Sequence, residues 1–326
     1  MLRSMYSGIS GLKNFQTKLD VIGNNISNVN TYGFKKERTV FKDLISQTSA
    51  GASGPSPTRG GVNAIQVGLG SQLAAIDTIH TSGSMQSTGR TLDLGINGEG
   101  FFMVADSAEF EPGADDEVDI ATGFTNTSYT RAGNFYMDRN GYVVNADGKY
   151  LVGFANEGID QYDAIDDPAA AVSNFDDEKE ATIADVEAGT NILEDGALPD
   201  GATPIRIPTT AQSMSISQDG TVSFVDSAGK LQYAGTIILA KFANASGLEK
   251  TGSNYFQVTQ NSGEPYAQLG TVDGMGSINS GFVEMSNVDL SEEFTEMIVA
   301  QRGFQANSRI ITTSDEILQE LVNLKR

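Results

Sequence analysis

The chain has 326 residues, no Cys, one His and a formal net charge of −21. The lack of Cys excludes disulfides, thiol catalysis and Cys-ligated metal sites, and a single imidazole excludes a site with two His ligands. An apolar content of 39% with 36 Gly is ordinary for a folded protein, and we expect about two or three domains at this length. The acidic balance argues against nucleic acid as a partner.

The negative charge is concentrated in two segments. Residues 106–119 carry seven acids and no base, and residues 157–200 carry fourteen acids and one base, Lys179. The rest of the chain is therefore close to neutral. Because dense like charges repel each other, we expect both segments on a solvated surface.

The two ends of the chain predict amphipathic helices. Apolar residues recur at alternating steps of three and four in the first 28 positions. They are Leu2, Met5, Ile9, Leu12, Leu19 and Ile26. Residues 290–324 show the same period, with Asp289 as the expected N-cap. The apolar positions there are Leu290, Phe294, Met297, Phe304, Ile311, Leu318 and Val322.

Each helix would be marginal alone, so the two stripes predict a coiled-coil pair that packs these residues together. Four further apolar residues widen the face of the second helix beyond what one neighbour can cover. They are Ile298, Ile310, Ile317 and Leu321. The extra width predicts packing against further copies of the chain.

The centre of the chain predicts an antiparallel, Greek-key-like β region. Short apolar runs alternate with hairpin signals at Asn97-Gly98, Asn140-Gly141, Asp147-Gly148 and Asp219-Gly220. Residues 46–64, rich in Gly, Ser and Pro, are either a flexible tether or an ordered arm laid on a neighbour. The acidic stretch near 155–204 interrupts the β region as an insertion at a hairpin tip.

No catalytic or metal-binding pattern emerges. His80 has only Asp77 nearby in sequence, which is insufficient for a nucleophilic triad. The sequence around Asp138 and Asn140 lacks the spacing of a calcium loop, and Gly68 and Gly70 lack the context of a dinucleotide loop. We therefore expect no enzyme activity, no cofactor and no metal. There is also no run of about 18 apolar residues that would insert into a membrane, and no cleavable secretory signal is visible.

Long motifs along the chain resemble the bacterial flagellar axial proteins, the group of rod, hook and hook–filament junction subunits. DVIGNNISNVNTYGFK at 20–35 resembles the N-terminal signature of this family. TGRTLDLGINGEGFFMV at 88–104 and YTRAGNFYMDRNGYVVNADG at 129–148 resemble its β-domain motif. The C-terminal residues 281–326 resemble hook proteins most closely. The signature residues are Asn24, Asn25, Asn28, Asn30, Gly33 and Phe34.

The resemblance implies an α+β multidomain subunit that self-assembles into a helical tube. Residues 1–45 with 285–326 would form an inner coiled-coil domain, 46–70 an arm, 71–154 with 205–284 the β domain, and 155–204 a small acidic outer lobe. The subunit would build the hook, the flexible joint that transmits torque from rod to filament, with the distal rod as the alternative. Deletion of 157–200 is expected to leave assembly largely intact.

The resemblance also implies partners and a location. The partners would be further copies of the chain, the distal rod protein, the hook cap, the hook–filament junction proteins and the flagellar type III export apparatus. The subunit would belong to the extracellular flagellum, in the hook or basal body, after export without a cleavable signal. From the residues alone, we interpret the signature Asn residues as helix-terminating and turn-forming, and Gly33 as serving backbone geometry. An enzyme or a solitary adhesin are the competing classes; an adhesin would work without the terminal helices.

Overall fold

The computed structural model describes residues 2–107, 124–156 and 202–324, with 111–112, 118–119, 175, 179, 191 and 193 between them. The chain forms two compact units. The helical unit comprises Met1–Val29, Lys35–Ile79 and Val288–Arg326. The sheet unit comprises Asn30–Phe34 and His80–Asn287.

The helical unit contains two long helices and two strand pairs. Its elements are α1 (Leu2–Ser27), β1 (Glu37–Asp43), β2 (Ser46–Ala50), β3 (Ile65–Gly68), β4 (Ser71–Thr78) and α2 (Leu290–Leu324). Asp289 caps α2 as predicted, since its carboxylate accepts from the Ser291 N–H at 2.8 Å. No helix in the described part of the chain is both long and apolar enough to span a membrane.

Residues 37–78 of the helical unit form a long hairpin. β1 pairs antiparallel with β4, and β2 pairs antiparallel with β3. Isolated bridges Ser53–Val62 and Ser56–Arg59 continue the pairing toward the tip. The predicted arm 46–70 is thus paired along its length. Residues 71–78, which the sequence assigned to the β domain, belong to the helical unit because β4 pairs with β1.

The sheet unit is antiparallel throughout its described pairings. Its first strands are β5 (Met85–Ser87), β6 (Leu94–Asn97), β7 (Phe101–Ser107), β8 (Glu111–Pro112), β9 (Val118–Asp119), β10 (Phe124–Thr130), β11 (Tyr136–Met137), β12 (Val143–Val144) and β13 (Tyr150–Ala155). After the acidic insert, defined here as residues 157–200, come β14 (Thr203–Pro204), β15 (Ser213–Ile216), β16 (Thr221–Val225), β17 (Leu231–Lys241), β18 (Glu249–Gly252), β19 (Tyr255–Gln257), β20 (Tyr266–Leu269), β21 (Ser277–Ser280) and β22 (Phe282–Glu284). One turn of 3₁₀ helix at Ala245–Gly247 precedes β18.

A twelve-stranded sheet forms the body of this unit. Its main path runs β11–β12–β13–β17–β7–β10–β19–β18, with β14, β15, β16 and β20 attached along it. The sheet branches at β17, where β20 pairs with residues 238–241. Strands β21–β6, β22–β5 and β8–β9 form separate pairs.

Two apolar clusters lie on the two faces of the central strands. Alternate residues of β7 separate between them, with Phe102 and Val104 in the first cluster and Phe101 and Met103 in the second. β17 divides in the same way. Because both faces of the sheet are covered at these strands, their sequences are apolar along almost their whole length.

Candidate assembly surface

The two terminal helices pack against each other in antiparallel directions. Lys18 Nζ lies 3.0 Å from Glu296 Oε2, and the Asn25 amide donates to Glu293 Oε2 at 3.2 Å. Further from Asn25 along α1, Phe15 lies against Gly303. Residues later in α1 therefore meet residues earlier in α2, and the end helices of the sequence form one pair.

Small residues allow this pair to approach closely. A Cβ added to Gly303 would lie 2.6 Å from the Phe15 ring, and one added to Gly11 would lie 2.9 Å from Asn307 Nδ2. At Gly8 the added atom would be 3.3 Å from Ile311 Cγ1. Glycine at these positions permits close approach, because a Cβ at Gly303 or Gly11 would require the Phe15 ring or the Asn307 amide to shift, and one at Gly8 would be tight against Ile311.

Many of the contacts lie one residue away from the predicted stripe. Contacts on α1 include Gly8, Gly11, Lys18 and Asn25, each one position before a predicted stripe residue, together with Phe15. On α2 they include Glu293, Glu296 and Gly303, each one position before a predicted stripe residue, together with Asn307 and the stripe residue Ile311. Small and polar residues therefore share the contact line with the large apolar residues Phe15 and Ile311.

The predicted stripe residues differ in how far they are buried. Met5, Leu12, Leu19, Ile26, Met297, Ile311 and Leu318 are half-buried. Ile9, Leu290, Phe294, Phe304 and Val322 are exposed, with Ile9 at 50% and Phe304 at 37%. The Leu2 side chain lies outside the described part of the chain. The stripe leaves much of its apolar surface facing outward.

The flanking apolar residues of α2 extend this exposed surface. Ile298, Ile310, Ile317 and Leu321 are all exposed, as the breadth of the predicted face requires. Val299 and Leu324 add to them. We call the exposed apolar residues of α1 and α2 the apolar face. Large apolar side chains left exposed in this number along two helices are typical of a surface that contacts another protein.

Asn25 makes long-range hydrogen bonds. Its amide donates to the Glu37 carbonyl at 2.9 Å, and its oxygen accepts from the Glu37 N–H at 3.0 Å. Together with the bond to Glu293, this side chain joins α1, β1 and α2. The interpretation as a turn residue is thus corrected for Asn25. It holds for Asn28, whose amide donates to the Asn24 carbonyl at 2.9 Å and closes the end of α1.

The carboxylate of Glu293 is buried at this junction. Lys36 Nζ lies 2.8 Å from Glu292 Oε2 and 4.0 Å from Glu293 Oε1. Burial raises the pKa of Glu293, while the Asn25 hydrogen bond and the Lys36 charge oppose that rise. A cavity of about 120 Å³ lies here, and the charged groups Lys18, Lys36, Glu292 and Glu296 on its wall pair with one another. These ion pairs on the cavity wall connect α1 with α2 and Lys36 with α2.

The hairpin between β1 and β4 also carries exposed apolar residues. Ile45 is 83% exposed, and Val62, Ile65 and Val67 are exposed as well. Strands β2 and β3 pair only with each other in the described residues. Because an isolated two-stranded hairpin is marginal in water, this arm gains stability when another surface covers it.

A buried ion pair joins distant segments of the sheet unit. Arg131 Nη1 lies 3.2 Å from Glu284 Oε2, and the two side chains are only 4% and 0% exposed. The guanidinium also donates to the Gly98 carbonyl at 2.8 Å, and Glu284 Oε1 accepts from the Gly83 N–H. Burial lowers the pKa of Arg131, and the Glu284 carboxylate opposes this. Sequence reasoning missed the pair because its members are 153 residues apart.

Residues 30–34 pack into the sheet unit beside that pair. Gly33 has a φ of 68°, and a Cβ there would lie 2.6 Å from the Ala132 nitrogen. Its N–H donates to the Glu284 carbonyl at 2.8 Å. Phe34 is buried, with Lys250 Nζ 5.1 Å from its ring centre, whereas Asn30 is exposed. The Gly33 position requires glycine both for conformation and for space.

His80 packs in an aromatic setting. Its ring lies edge-on to Phe101 and Phe256, with centroids 5.7 and 5.4 Å apart. Among the residues that the structure describes, no group of three or more His, Asp or Glu could hold a metal ion. The predicted solvent position of the acidic segments falls largely outside the described residues.

Comparison with known proteins agrees with this architecture. Family models for the flagellar basal body rod FlgEFG protein C-terminal region, the flagellar hook protein FlgE/F/G D1 domain and the flagella basal body rod protein match residues 279–324, 118–224 and 5–35. The chain is 50% identical over 327 residues to the flagellar basal-body rod protein FlgG of Bacillus subtilis, covering 100% of both. It is 33% identical over 458 residues to the flagellar hook protein FlgE of Borreliella burgdorferi, also covering 100% of both.

The chain belongs to the flagellar rod and hook protein family. The predicted family and the α+β fold class are therefore confirmed. Members of this family are structural subunits of polymeric axial structures in the flagellar basal body and hook. The D1 domain match runs through 118–224, so the acidic insert lies inside a family-matched region rather than outside it.

Proposed function

We propose that this chain polymerises with copies of itself into a flagellar axial tube, in which the apolar face of α1 and α2 is covered by neighbouring subunits. The observation that carries the proposal is the exposure of large apolar residues on both helices. The contacts within the helix pair leave Phe294, Phe304 and other large residues exposed. An intermolecular partner removes this apolar surface from water.

Within the family, we propose that the tube is the rod, with the chain as its distal subunit. The support is the 50% identity over the whole length to a protein named as a basal-body rod protein. The arm of residues 46–68 adds a second extended surface for contact with a neighbour. A stiff tube needs contacts of this kind that hold each subunit at more than one place.

The hook is the second candidate, and it is the one that the sequence predicted. Its support is the full-length match to the Borreliella burgdorferi hook protein at 33% identity. A hook and a rod make different demands on the same subunit array, because a bending tube must let its contacts slide or switch.

Electron microscopy of the tube formed by the purified full-length chain distinguishes the two. Straight tubes support the rod, and curved, supercoiling tubes support the hook. A chain that stays monomeric at concentrations where a matched rod or hook protein assembles would contradict the self-assembly proposal itself. Export through the flagellar apparatus and contacts with the hook cap and junction proteins are proposed with it, and catalysis has no part in it.

A further inference from the structure

The acidic insert touches the sheet unit at each of its four described residues. The Phe175 ring lies edge-on to Tyr233 in β17 with centroids 5.9 Å apart, and Lys179 Nζ lies 2.9 Å from Asp219 Oδ2. Asn191 bonds to the backbone at β20. Leu193 is only 4% exposed and belongs to the second apolar cluster.

The bonds of Asn191 follow the pattern of strand pairing. Its side-chain oxygen accepts from the Ala267 N–H at 2.8 Å, and its NH₂ group donates to the Pro265 carbonyl at 3.0 Å. These two backbone groups flank Tyr266 on one edge of β20. A residue of a parallel strand would bond to the same two groups with its own peptide N–H and C=O.

The other edge of β20 is already used. Residues 266–269 pair with 238–241 of β17, and β20 has no second strand partner among the described residues. An open strand edge is a template for addition of a strand from another copy. The side chain of Asn191 occupies that place.

The position of Asn191 is itself fixed by the chain around it. Its oxygen also accepts from the Leu193 N–H at 3.2 Å, which holds the two residues in one turn. Burial of Leu193 in the second cluster then anchors the turn against the sheet. A carboxamide carries a donor and an acceptor in the planar arrangement of a peptide group.

We infer that Asn191 is an edge cap, which closes the outer edge of β20 against strand addition, and that Leu193 holds this cap in place. Deletion of residues 157–200, expected from the sequence to leave assembly largely intact, would then open the edge of β20. The inference concerns single chains and does not depend on whether the tube is a rod or a hook.

Hydrogen exchange at the Ala267 amide tests the cap in the full-length chain. Asn191→Asp keeps the size of the side chain but replaces the donor with a carboxylate oxygen. Repulsion between this oxygen and the Pro265 carbonyl should displace the side chain from both backbone groups of β20, including the Ala267 N–H. We expect the Ala267 amide to exchange about five- to tenfold faster in this variant. Lys179→Ala, which breaks only the ion pair with Asp219, is the matched control and should leave that amide at the wild-type rate.

Protonation provides a second readout that a general loss of folding would not give. A protonated carboxyl group has both an O–H donor and a C=O acceptor, so lowering the pH should return the Asn191→Asp variant toward the wild-type rate at the same pH. Unchanged Ala267 exchange in Asn191→Asp, or acceleration that persists when the carboxyl is protonated, would overturn the inference.

Replacement of 157–200 by a short Gly–Ser linker tests the consequence between copies. We expect β-rich aggregates that bind an amyloid dye and are distinct from tubes in electron micrographs. A linker variant that remains free of such aggregates at concentrations where the Lys179→Ala control is also free of them would contradict the edge-cap role.

Discussion

Phe304 provides a direct test of the apolar face. Its side chain is 37% exposed in the single chain, although it stands next to Gly303 on the contact line. A Phe side chain buries about 150–250 Å² in full, so roughly 55–90 Å² is left for a neighbouring subunit. At about 25 cal/mol per Å², covering that area stabilises each intersubunit contact by roughly 1.4–2.3 kcal/mol.

Loss of this contact should raise the concentration needed for assembly. Phe304→Ala is expected to raise it about 10- to 45-fold, because each 1.4 kcal/mol is about a factor of ten. Phe304→Asp should abolish assembly, since a desolvated carboxylate without a partner costs several kcal/mol more.

The assay is sedimentation of polymer across a concentration series, with electron microscopy of the pellet. Gln305→Asp adds the same charge one position along the helix at an exposed polar residue and is the matched control. Circular dichroism of the unassembled variants checks that the helices remain. If Phe304→Asp assembles at about the same concentration as Gln305→Asp, the assignment of the apolar face to intersubunit contact is wrong.

Three further predictions concern the interior of the two units. Glu284→Gln should lower the free energy of unfolding of the sheet unit by about 3–5 kcal/mol, because it leaves the buried Arg131 charge uncompensated. The melting temperature should fall by roughly 6–20 °C, and a fall below about 2 °C would contradict the prediction. Gly33→Ala should destabilise the sheet unit more than Gly148→Ala does, because both residues have positive φ but, of the two, only Gly33 lacks room for a Cβ. Equal melting temperatures of the two variants would show that lack of room does not matter. The raised pKa of Glu293 means that its burial as a carboxylate costs stability at neutral pH, and this cost disappears as the pH falls through that pKa. Glu293→Gln should therefore stabilise the helical unit near neutral pH and lose its advantage on acidification, as chemical denaturation of both proteins at several pH values would show.

The sequence predicted the elements well where local pattern decides them. The helix at Leu290–Leu324 follows from its apolar period and the Asp289 cap, and turns at Asn140-Gly141 and Asp219-Gly220 lie where their dipeptides indicated. The apolar period did not indicate that Gly8, Gly11 and Gly303 lie on the contact line, because it counts large side chains and passes over glycine.

Local sequence patterns did not predict the long-range pairings. β4 was assigned to the β domain, whereas its partner β1 lies before the Gly- and Pro-rich arm. The Arg131–Glu284 pair joins residues that no local spacing relates. The acidic insert was treated as an outer lobe because its composition is polar, yet Asn191 and Leu193 make specific contacts with the sheet.

The pairing of the first helix with the last has a consequence for the order in which the protein folds. Asn25 and Glu293, which meet at the junction, are separated by 268 residues. Closing a flexible loop of that length costs roughly 5 kcal/mol of chain entropy, so the helix pair is unfavourable until the intervening sheet unit has folded and shortened the gap. We therefore expect the paired helices, and the surface that they present together, to form only after the sheet unit has folded.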